Sequence, residues 1–135
     1  MQIFSAARQL VAGKPGESDS SKQVAERAAA ACEQFSQHLS RLLGATAADM
    51  LVQRSVVLAS ATLPWLAPSP SRRPVGAVTT TQALRDAMER QEPAAITEAF
   101  ATILSELVEL LVRLIGEGLV ERLLHEVWPT VFAPT

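Results

Sequence analysis

The stretch PAAITEAFATILSELVELLVRLI, residues 93–115, decides the fold. Its polar residues fall in one stripe, Glu98, Thr102, Ser105/Glu106, Glu109 and Arg113, at the three-and-four spacing of a helical face. The rest of its circumference is Ile, Leu, Val, Ala and Phe. Pro93 suits the first helical position, where a missing N–H costs nothing. A helix that is oily around most of its surface sits at the centre of a bundle or in an oligomer interface. It does not suit a membrane: the oiliest part, Ile103 to Ile115, contains Ser105, Glu106, Glu109 and Arg113, whereas a crossing needs about 20 mostly apolar residues. We therefore expect residues 93–115 to be the central helix of a bundle. Of Leu107, Leu110, Leu111 and Leu114, at least three should be nearly fully buried.

Working outward, Gly116 and Gly118 interrupt this helix, and Leu119 to Val127 predicts another, ended by Pro129. Upstream, Thr79 to Thr81 offer caps for a helix over Gln82–Gln91. Leu63 to Gly76 holds four of the eight prolines and reads as a connection. Before it, Val24, Ala28, Ala31, Phe35, Leu39 and Leu42 recur at helical spacing behind a Ser20 or Ser21 cap. Gly44 stops this helix, where a left-handed cap is expected. Thr46 and Asp49 resemble a capping box for a third helix, with Met50, Leu51, Val57, Leu58 and Ala61 as its apolar positions. Phe4, Ala7, Leu10 and Val11 predict a short amphipathic helix within Met1–Ala12. No segment alternates with period two over a useful length. The expected fold is all-α, a helical bundle of five to six helices in a single domain over 1–135. Within it, 1–21 is an N-terminal arm and linker, 22–62 a first helical unit, 63–78 a Pro-rich connection and 79–135 a second helical unit.

The two units read alike. Ser40-Arg41-Leu42-Leu43-Gly44 ends one long helix and Val112-Arg113-Leu114-Ile115-Gly116 ends the other. Leu51-Val52-Gln53-Arg54 and Leu119-Val120-Glu121-Arg122 occupy the shorter helices that follow, with a register slip of four residues between the blocks. Trp and Pro stand at both exits, at Pro64-Trp65 and Trp128-Pro129. Taken as an internal repeat, this implies a pseudo-twofold helical core.

Composition narrows the function. With 48 % apolar and 19 % charged residues and a mean hydropathy of +0.18, long disorder is not expected. A net charge of −2 and a pI near 5.7 argue against nucleic acid as a partner. One cysteine, Cys32, excludes an intrachain disulfide and multi-cysteine zinc sites. The start of the chain lacks a signal-peptide core, so a reducing cytoplasmic setting with no membrane span is the expectation.

The chemistry-bearing residues are few. His38, near Arg41, could carry a phosphoryl group as in phosphotransfer bundles, but Leu42 stands one turn along, where a docking receiver needs a small side chain. We read His38 as edging the core. Glu121 and His125 share a helix face at i, i+4, a two-ligand metal edge without a second half, and read as a solvated surface pair. Cys32, among Ala28 to Ala31, has no local base to activate it and reads as a buried small hydrophobe. Ser69 to Pro74, with Arg72 and Arg73, is the one basic cluster and reads as a solvated connection. Arg54 and Arg122 read as exposed or as pairing across the pseudo-twofold. Trp65 and Trp128 either cap the core or, with Phe132, expose a hot spot. No nucleophile, base and orienting group come together. The expected function is a non-enzymatic helical protein-interaction module that self-associates as a homodimer, without cofactor or metal. Its candidate contacts are Trp65, Trp128, Phe132, Phe4 and Leu10. Apolar surface left near Ile103, Leu104 and Val108, or near Ile3, Phe4 and Leu10, would drive association, with the N-terminal helix reaching a neighbouring subunit. The alternative is a small-molecule or cofactor-binding bundle, with an apolar pocket beside the tryptophans.

Overall fold

In the computed structural model, residues 3–11, 20–66 and 80–129 are described. They form six α-helices in the order α1 (Ile3–Val11), α2 (Ser21–Leu43), α3 (Ala45–Ala59), α4 (Thr80–Glu89), α5 (Pro93–Ile115) and α6 (Glu117–Val127). A short 3₁₀ helix, Pro64–Leu66, follows α3. No strand occurs among the described residues, and the fold is an all-α bundle.

Two helices of 23 residues, α2 and α5, form the frame. At 1.5 Å per residue each is ~35 Å long. Their starts are satisfied differently. Ser20 caps α2 with a reciprocal box: its hydroxyl accepts from the Gln23 N–H at 3.3 Å, and the Gln23 side-chain oxygen accepts from the Ser20 N–H at 3.1 Å. Glu92 precedes α5 without a side-chain cap, and Pro93 at the first turn removes one donor that would otherwise need a partner.

Their ends are built alike. Gly44 has φ 92° and ψ 153°, and Gly116 has φ 93° and ψ 154°. The Gly44 N–H donates to Ser40 O at 2.8 Å, and its carbonyl accepts from the Ala48 N–H at 3.0 Å. Gly116 does the same with Val112 and Val120, at 3.0 and 3.3 Å. Each glycine thus closes one helix and opens the next, a joint of one residue. The backbone is not the left-handed helical cap expected at Gly44. It lies in a more extended positive-φ region that is essentially restricted to glycine.

The short helices lie across this frame. α3 packs on both α2 and α5, and α6 packs on α5 and more lightly on α2. α1 rests chiefly on α5, whereas α4 rests on α2. α1 also touches α2. α5 shares the central place with α2, which touches all five other α-helices. α3 has 15 residues and α6 has 11. The two shorter helices thus differ in length by about one turn of 3.6 residues. Val52, Ser55, Val56 and Ala59 are buried, and so are Val120, Leu123, Leu124 and Val127.

Several expectations are corrected. Leu107 and Leu111 are buried, but Leu110 is only half-buried and Leu114 is exposed. The leucine stripe continues to the end of α5, and the elements packed against it stop sooner. Ile103, Leu104 and Val108 are buried, so no apolar surface is left there. The inward face of α3 is Ala48, Val52, Ser55, Val56 and Ala59, while Met50, Val57 and Ala61 are exposed. Thr46 makes no cap, because Gly44 and Ala45 open α3 directly, and Asp49 instead accepts from the Gln53 amide at 2.6 Å. Gly118 lies inside α6, and α4 begins two residues earlier than its caps suggested.

Candidate interaction surface

The two tryptophans are not in equivalent places. Trp128 follows α6 and is buried, its ring stacked on Phe35 of α2 with centroids 5.3 Å apart and an interplanar angle of 17°. The Gln34 amide donates to Val127 O at 3.2 Å, tying the end of α6 to α2 beside this stack. Trp65 lies in the 3₁₀ helix, half-buried against the core. Leu10 is also half-buried against the core. The Phe4 side chain, Phe132 and the basic cluster Ser69–Pro74 lie outside the described residues.

The residues with reactive side chains lie on α2, α3 and α6. Cys32 is buried, and burial, with the Glu33 charge adding, pushes its thiol from 9.0 up to about 12. At neutral pH it is a protonated, inert side chain. His38 is half-buried on α2, with Nδ1 3.0 Å from Gln34 O, which the δ-protonated ring serves by donating. Glu121 is exposed and His125 half-buried on α6. Among the described residues no three His, Cys, Asp or Glu side chains gather as a metal site. Arg54 and Arg122 are both exposed.

Among the described residues the exposed large apolar side chains are Leu42, Met50, Val57, Leu114 and Leu119, from 45 % for Val57 to 64 % for Met50. Four of them bracket the glycine joints: Leu42 and Met50 around Gly44, Leu114 and Leu119 around Gly116. Exposed Arg41 and Arg113 stand in the last turns of α2 and α5, where a cation is favoured by the helix dipole. Sequence reasoning missed these residues because helical periodicity assigns Leu42 and Leu114 to the inner stripe. The signal that finds them is their distance from the glycine. A leucine two residues before a helix-ending glycine lies in a turn with little packed over it.

No helix among the described residues is long and apolar enough to cross a membrane. Compared with known proteins, the chain matches no family model, and no curated protein or solved structure aligns with it significantly.

Proposed function

We propose that this chain is a non-enzymatic helical interaction module that associates with a second copy of itself as a twofold dimer. The observation that carries this reading is the set of large apolar side chains left exposed at both glycine joints. Single exposed leucines are ordinary, but their recurrence around two joints of the same construction supports a surface held open for a partner. The inert state of Cys32 favours binding over catalysis. Sedimentation equilibrium of the full chain at micromolar concentration tests the reading. The expected mass is twice 14.5 kDa. A mass of 14.5 kDa at every concentration refutes it.

A further inference from the structure

We draw no further inference here: the strongest candidate, the outer face of α3 with its exposed Met50 and Val57, continuous with Leu42 at the Gly44 joint, is an unpartnered apolar face, and nothing in the structure shows what covers it.

Discussion

α1 and α4 do the same job in different ways. Each is a short helix packed on a long one, α1 chiefly on α5 and α4 on α2. Among its described side chains α1 buries Ala6, Ala7 and Val11, with Ile3 and Leu10 partly covered, and α4 presents Leu84 and Met88 to a helix rich in alanine. α2 and α5 are equally long and end in glycines with φ and ψ alike to one degree, while the side chains on their buried faces differ. At the α4 contact, large side chains meet an alanine-rich face. Close packing makes the volumes of the two sides complementary.

The largest test of this comparison is at the buried residues that carry the volume. Met88 and Leu111 are both fully buried. Met88→Ala and Leu111→Ala should each lower unfolding free energy by about 2–5 kcal/mol, the range for a large-to-small core change. Denaturant titration measures it. A loss under about 1 kcal/mol at Met88 would mean that the alanine face of α2 closes over the gap, and size complementarity would not hold α4 in place.

Next come the joints. No atom lies within 4 Å of a Cβ added at Gly44 or Gly116, so alanine there meets no clash and the cost is purely conformational. Gly44→Ala and Gly116→Ala should each destabilise by about 1–3 kcal/mol, and by similar amounts. Unequal losses would show that only one joint depends on its positive φ.

A smaller effect separates the faces by pH. The Cys32 thiol is pushed up to about 12 in the folded chain from 9.0. Between these values the unfolded chain holds fewer protons, so stability falls as pH rises, by up to about 1.4 kcal/mol per pH unit. Below the lower value the thiol is protonated in both states and contributes no slope. Cys32→Ala should flatten the decline between about pH 9 and pH 11 relative to wild type. An unchanged decline would place the thiol in contact with water.

Much of the fold was legible because glycine, proline and serine punctuate it. Ser20, Gly44, Pro93 and Gly116 mark the bounds of both long helices, and each does so by a local backbone effect that needs no tertiary knowledge. The inward face of α3 was not legible. Met50 and Val57 are more hydrophobic than Ala48 and Ser55, yet the smaller residues turn inward because α3 packs on two helices at once. Ser55 can be buried since its hydroxyl donates to Leu51 O at 2.8 Å. The exposed leucines were hidden for a related reason. Periodicity tells which way Leu42 and Leu114 point, and only the packed structure tells where the neighbouring helices end. The crossing of α1 to α5 and of α4 to α2 joins elements distant in sequence, and no local pattern reports it.

The central claim is that α2 and α5 are the frame of the bundle, on which the shorter helices pack. Hydrogen–deuterium exchange of the intact chain, read by peptide mass spectrometry, tests it most directly. Local release frees the amides of one element without unfolding the rest. The account predicts that the shorter helices exchange before the frame, and that the middle of α5 exchanges last, at the rate of global unfolding. Protection of α1 equal to that of the middle of α5 would contradict it.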